Sequence, residues 1–109
     1  MAESFNSKGV AVTTVMTTIY TVPASTTAIL LAAQAANVDG AANADVTLQW
    51  VRGGTPTRLA STIVVPMDAA LNLIGGKITL IAGDTLQVAA SADGDIELTL
   101  SYLEISNAA

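Results

Sequence analysis

The sequence predicts an all-β protein, an antiparallel β-sandwich of about eight strands, jelly-roll-like or immunoglobulin-like. Three observations carry that expectation. β-Branched residues crowd the chain from Val10 to Ile105. Turn signals break it at short intervals: Pro23-Ala24-Ser25, Gly53-Gly54-Thr55-Pro56, Gly75-Gly76, Ala82-Gly83-Asp84 and Asp93-Gly94. Between them apolar and polar residues alternate with the period of a half-buried strand, as where Val46, Leu48 and Trp50 flank Thr47 and Gln49. With 109 residues there is room for one core and one domain.

The elements follow in order. Residues 1–9 are polar and read as an arm anchored by Phe5, leaving 10–109 as the sandwich domain. The arm either folds back on its own domain or reaches a neighbour. Residues 10–22 are expected as one long strand region, with Val10, Val12, Met16, Tyr20 and Val22 sharing a parity, ended by Pro23. Segment 25–37 is ambiguous. It is Ala-rich, and Ser25 stands where a helix cap would. Yet Thr26, Thr27 and Ile29 are β-branched and no apolar stripe faces a polar one, which favours a strand. Residues 38–44 form a loop. Strands are then expected at 45–52, 58–65, 71–74, 77–81, 85–90 and 95–105. The last changes phase: Ile96, Leu98 and Leu100 are apolar at even positions, then Leu103 and Ile105 at odd ones. A one-residue shift exchanges faces, so a bulge near Ser101–Tyr102 is expected. The expected core is Val46, Leu48, Trp50, Leu59, Ile63, Val65, Ile78, Leu80, Leu86, Val88, Ile96, Leu98 and Leu100.

Composition narrows function by exclusion. The chain has no cysteine and no histidine, so thiolate chemistry, disulfides and imidazole-based triads are absent. Net charge is −5, and Lys8, Arg52, Arg58 and Lys77 are scattered, which argues against nucleic acid and anionic membrane as partners. Residues 1–8 lack the cationic and apolar regions of a secretory leader, so the expected site of synthesis is a cytosol without export by the general route. The run 28–36 is broken by Gln34 and too short to cross a bilayer.

Only 12% of residues are charged, against roughly 25% in ordinary soluble domains. A compact chain of this mass exposes roughly 5,600 Å², or roughly 430 Å² per charged group. So thin a charged skin suits a subunit whose surface is covered in an assembly.

Candidate chemistry is sparse. Asp93, Asp95 and Glu97 place three carboxylates close together, but they offer too few oxygens for a calcium shell and read as a turn followed by an outward Glu. Asn37-Val38-Asp39-Gly40 opens like a calcium loop, but Leu48 stands where its bidentate Glu belongs. Trp50 and Tyr20 could form a sugar-stacking platform; Trp50, in phase with Val46 and Leu48, is expected in the core instead. No catalytic residue, metal site or cofactor is expected, and the chain reads as a non-enzyme. The candidate assembly interface is Phe5, Val10, Val12 and Val15.

Two stretches carry a resemblance. Thr18-Ile19-Tyr20-Thr21-Val22-Pro23-Ala24 followed by Thr27-Ala28-Ile29-Leu30 resembles an opening found in small virion proteins of tailed bacteriophages. Residues 66–72, Gly76-Lys77-Ile78-Thr79-Leu80, Ala82-Gly83-Asp84-Thr85-Leu86, Ser91-Ala92-Asp93-Gly94 and Ser101-Tyr102-Leu103-Glu104-Ile105 are similar to the same proteins. The resemblance spans 18–106 and rests on strand and turn residues, with Tyr20 and the Ala82-Gly83-Asp84 turn as scaffold positions. It implies a β-sandwich accessory protein of the virion, usually oligomeric. The expectation is a capsid decoration or cement protein bound to the head shell as a homo-oligomer, preferably a trimer. Its partners would be the major capsid protein or other virion proteins. A tail, neck or baseplate component, or a carbohydrate- or receptor-binding module, is the alternative.

Overall fold

The computed structural model describes residues 2–107. Met1 of the expected arm and residues 108–109 of the expected domain lie outside them. Nine strands follow one another: β1 (Ala2–Ala11), β2 (Thr17–Thr21), β3 (Thr26–Asn37), β4 (Ala44–Arg52), β5 (Thr55–Val65), β6 (Ala70–Asn72), β7 (Ile78–Ile81), β8 (Thr85–Ala90) and β9 (Ile96–Ser106). They form two antiparallel sheets packed face to face. One runs β1-β9-β3-β6, with β7 also on β3; the other runs β2-β8-β4-β5.

The pairing is nested. β1 pairs with β9, β2 with β8, β3 with β6 and β7, and β4 with β5. β6 meets residues 34–36 of β3 and β7 meets 27–30, so together they make one interrupted strand. Eight strand positions paired outermost to innermost are those of a jelly roll, and of the two expected sandwich topologies this is the one adopted.

The core lies between the sheets. Ile96, Leu98 and Leu100 of β9 and Leu30, Ala33 and Ala35 of β3 meet Val46, Leu48, Leu86 and Val88 of the facing sheet, all buried. Alanines at 28, 33 and 35 explain why 25–37 is a strand despite its helical propensity: small side chains let the sheets close over it, and tertiary packing overrides the weak local preference.

Three expectations change. Residues 10–22 are two strands, because the chain leaves the first sheet after Ala11 and crosses to the second through 12–16. Ile63 is 39% exposed rather than core. It lies on the edge strand β5, just past the register shifts at Val46/Leu48 and beside Thr62, whose φ is +45°. Trp50, Leu59 and Ile78 are only partly buried, packed against the core's margin.

The phase change in β9 also has a different origin. β9 pairs with β1 in unbroken register from Ala2↔Ser106 to Ala11↔Glu97, so it carries no bulge at Ser101–Tyr102. The extra residue is Leu31 of β3, between Leu30↔Tyr102 and Ala32↔Ser101. Even positions of β9 therefore face inward along its whole length. Tyr102 lies against Tyr20, ring centroids 4.5 Å apart, and the Tyr20 hydroxyl donates to Glu104 Oε2 at 2.6 Å. Burial first, then the Glu104 carboxylate, raises the Tyr20 phenol well above its ordinary pKa. Leu103 and Ile105 are left on the outer face.

Candidate assembly surface

The outer face of the β1–β9–β3–β7 sheet bears apolar side chains where an independent domain would carry polar ones. Cross-strand registers align them. Phe5 is opposite Leu103, Leu103 opposite Ile29, and Ile29 opposite Thr79. In the next row Glu3, Ile105, Thr27 and Ile81 succeed one another. Phe5 is 76% exposed and Ile81 47%, while Leu103, Ile105 and Ile29 are half-buried. Residues opposite one another on a face have their Cβ atoms about 5 Å apart, so these side chains form one patch.

Toward the other end of β1 the same face hollows. Gly9, Ala11, Glu97 and Thr99 lie outward, and with the strand segments between them they line a cavity of about 340 Å³ contributed by β1 and β9 alone. Small side chains leave the backbone uncovered there.

β1 is also a free edge. Its ten residues pair on one side with β9 and on the other with nothing among the described residues. The other edges are blunted. β5 contains Pro56, the left-handed Thr62 and two register shifts. β2 is five residues long with an irregularity of its own, and β6 and β7 are separated by residues 73–77. β1 carries neither proline nor bulge, and the ammonium of Lys8 is drawn inward to the Ile19 carbonyl at 2.6 Å.

The four expected interface residues do not gather in one place. Phe5 and Val10 lie on β1 but on opposite faces, Val10 partly buried against the core margin. Val15 is 69% exposed on the β1–β2 connection, beyond the far end of β1. Val12 is 1% exposed, its N–H bonded to Ile96 O and its carbonyl accepting from Gly94 N. It follows the chain between the sheets, is a core residue and offers a neighbour nothing. Leu103, Ile105, Ile29 and Ile81 were absent from the expected surface. Their signal was the phase change in β9, which marks an apolar outer face.

The polar candidates have structural duties. Asp93 Oδ1 accepts the Thr14 N–H at 2.7 Å and so ties the β8–β9 turn to the β1–β2 connection. Asp95 titrates above its ordinary range, first because of burial and then because Asp39 lies beside it. No group of three His, Cys, Asp or Glu residues able to hold a metal occurs among the described residues. Tyr20 is buried and the Arg52 guanidinium lies 4.8 Å from the centre of the Trp50 ring, so the two rings do not make one exposed platform.

No family model and no curated protein matches this sequence. Among solved structures, the chain is similar to a protein of the Bacillus endospore appendages, described as disulfide-linked pili. The TM-score is 0.60 at 17% identity, over 98% of this chain and 88% of that one. A pentameric capsid protein isolated from metagenomic phage sequences is similar at a TM-score of 0.46 and 21% identity; two of its structures match. This chain spans 59% of the length of one and 66% of the other. The first likeness is one of fold.

Proposed function

We propose that this chain is a structural subunit of a tailed-bacteriophage virion, a decoration or cement protein that binds the head shell as a homo-oligomer. The expected oligomer is a trimer, and the partner is the major capsid protein. The reading rests on the outer sheet face: Phe5, Leu103, Ile29, Ile105 and Ile81 leave an apolar patch on a chain otherwise sparing in charge. Soluble monomers rarely leave a contiguous apolar face uncovered, and such faces mark contact sites. A rigid sandwich with covered apolar faces can stabilise a shell by bridging capsomers across interfaces of ordinary size. No part of this needs a catalytic group, and the protein acts by contact alone.

The test is proteomic. Particles of a phage encoding this chain would be separated into heads and tails and each fraction analysed by mass spectrometry. The chain is expected in heads at a fixed ratio to the capsid protein. Recovery in tails alone would move it to a neck, tail or baseplate role, and absence from both would overturn the reading.

A second reading is a filament subunit, supported by the fold shared with the endospore-appendage protein. That protein is described as disulfide-linked, whereas this chain has no cysteine, so a filament here would be held by strand pairing and apolar contact. Electron microscopy of the concentrated protein would display fibres in that case. A carbohydrate-binding role predicts instead a shift of Trp50 emission on titration with glycans.

A further inference from the structure

We propose that β1 is a pairing site for a second copy of this chain: two β1 strands lie antiparallel about a twofold axis through Ser7, and each Phe5 covers the partner's Gly9. This goes beyond the virion reading, since it concerns how copies join wherever they act.

A ten-residue strand with unpaired N–H and C=O groups, no proline and no bulge is a template for another strand. Strand addition supplies main-chain hydrogen bonds, and the side chains choose the partner and the register. On β1, the odd residues Glu3, Phe5, Ser7, Gly9 and Ala11 face outward and the even ones inward. An antiparallel pair must keep outward residues opposite outward ones.

Two twofold registers do so while pairing nine of the ten residues. One is centred on Asn6 and sets Phe5 opposite Ser7. The other is centred on Ser7 and sets Phe5 opposite Gly9, twice by symmetry. The second fits the surface. Phe5 is the most exposed large apolar side chain on this face, and Gly9 lies in the 340 Å³ hollow four residues away, about 13 Å along the strand. Knob and hollow thus lie on one strand at the spacing a twofold axis needs to bring each onto the other. An aromatic ring laid across a cross-strand glycine covers the exposed backbone, a known device for stabilising glycine in sheets. Because one patch meets itself, the contact is isologous and closes as a dimer. Threefold contacts elsewhere would combine with it into even-numbered assemblies.

The contact is small. Nine residues a side compares with roughly 20–30 in a standard interface, so a dissociation constant of about 1–100 μM is expected.

Two experiments test it. Ser7→Cys places the only thiol in the chain on the proposed axis, where paired Cα atoms about 4.5–5.5 Å apart are within disulfide reach. Mild oxidation is expected to yield a covalent dimer from S7C and little from T79C, on the far side of the same face. Gly9→Val is expected to leave the fold intact, because a Cβ at that position meets no heavy atom within 4 Å. It fills the hollow, and the dimer should weaken at least tenfold by analytical ultracentrifugation, with circular dichroism and melting unchanged.

Equal cross-linking of S7C and T79C, or a native mass that G9V does not alter, overturns the pairing. A trimer indifferent to G9V would sink this inference and leave the virion reading intact. A β1-linked dimer whose chain is missing from purified virions would do the reverse.

Discussion

Asp84 shows how much one residue holds in this fold. Its side chain is 2% exposed and takes a fork of hydrogen bonds from Arg52, Nε at 3.0 Å and Nη2 at 2.7 Å, while also accepting the Ile81 N–H at 2.9 Å. Its carbonyl accepts from Val22 N, and Gly83 N returns to Val22 O. The β7–β8 turn is thereby fastened both to the end of β4 and to the chain leaving β2. Asp84→Asn leaves a buried amide that cannot satisfy three donors, and it should lower unfolding stability by about 2–3 kcal/mol in urea titrations. The Arg52 hydrogen bonds hold the Asp84 carboxyl below its ordinary 3.8. The folded state therefore releases this proton more readily than the unfolded one. The stabilisation is complete above the unfolded value and is lost as pH falls through the folded one. The gap between wild type and D84N should accordingly be constant above about pH 5 and shrink below about pH 4. Asp95, shifted upward, works in the opposite sense in both proteins and cancels in the comparison. Gly54 carries a second residue-scale prediction. With φ of +59° and +80°, Gly53 and Gly54 form the two-residue turn joining Arg52 to Thr55. Gly54→Ala should cost about 1 kcal/mol through strain alone, measured by thermal melting.

At the scale of elements, β9 separates what was legible in the sequence from what was not. The strands 45–52 and 85–90 and the first half of 95–105 were readable because each has one face in the core and so alternates cleanly. Gly-Gly and Asp-Gly turns marked their ends. Illegible were features that depend on a neighbouring strand. Leu31 hides its bulge in the run Leu30-Leu31-Ala32-Ala33, where every residue is apolar and no alternation exists to be broken. The corresponding phase change appears in β9, which is regular. Alternation assumes that apolar means inward, so the apolar Leu103 and Ile105 point to a bulge near Ser101–Tyr102, whereas they lie in the outer row of a regular strand. Val12, expected in the strand region 10–22 and at the interface, is instead buried where the chain crosses between the sheets after Ala11. The face assignment can be checked by a pair of truncations. Leu98→Ala removes a fully buried side chain and should cost about 3 kcal/mol. Leu103→Ala, on the outer face, should cost less than about 1 kcal/mol by the same denaturation assay. Equal losses would return Leu103 to the core and remove the apolar patch from the argument.

Over the whole molecule, charge is distributed by end. Asp39, Asp45, Asp68, Asp93, Asp95 and Glu97 all lie at or beside the connections β3–β4, β5–β6 and β8–β9. These meet at one end, as the bonds Val38 N to Asp95 O and Ser91 N to Asp45 O require. No Lys or Arg lies on those connections: Lys8 is within β1, Arg52 and Arg58 flank the β4–β5 turn, and Lys77 precedes β7. Two acidic ends repel, which keeps copies from joining there and leaves the sheet face and the β1 edge for contact. The whole chain exposes 5530 Å² with thirteen charged side chains, and few of these lie near Phe5. Association through that side should therefore depend on apolar burial and strand pairing rather than on ion pairs. A charge-driven contact weakens once salt shortens the Debye length to about 3 Å at 1 M, whereas apolar burial does not, and sulfate strengthens it. The native mass by light scattering on a sizing column should thus hold or rise between 0.05 and 1 M NaCl and rise further in ammonium sulfate. If the mass falls toward that of the monomer, 11.0 kDa, as salt increases, ion pairing between opposite charges, the acidic end of one copy against the Arg52 and Arg58 end of another, is what joins the copies, and the apolar face waits for a partner other than a second copy of this chain.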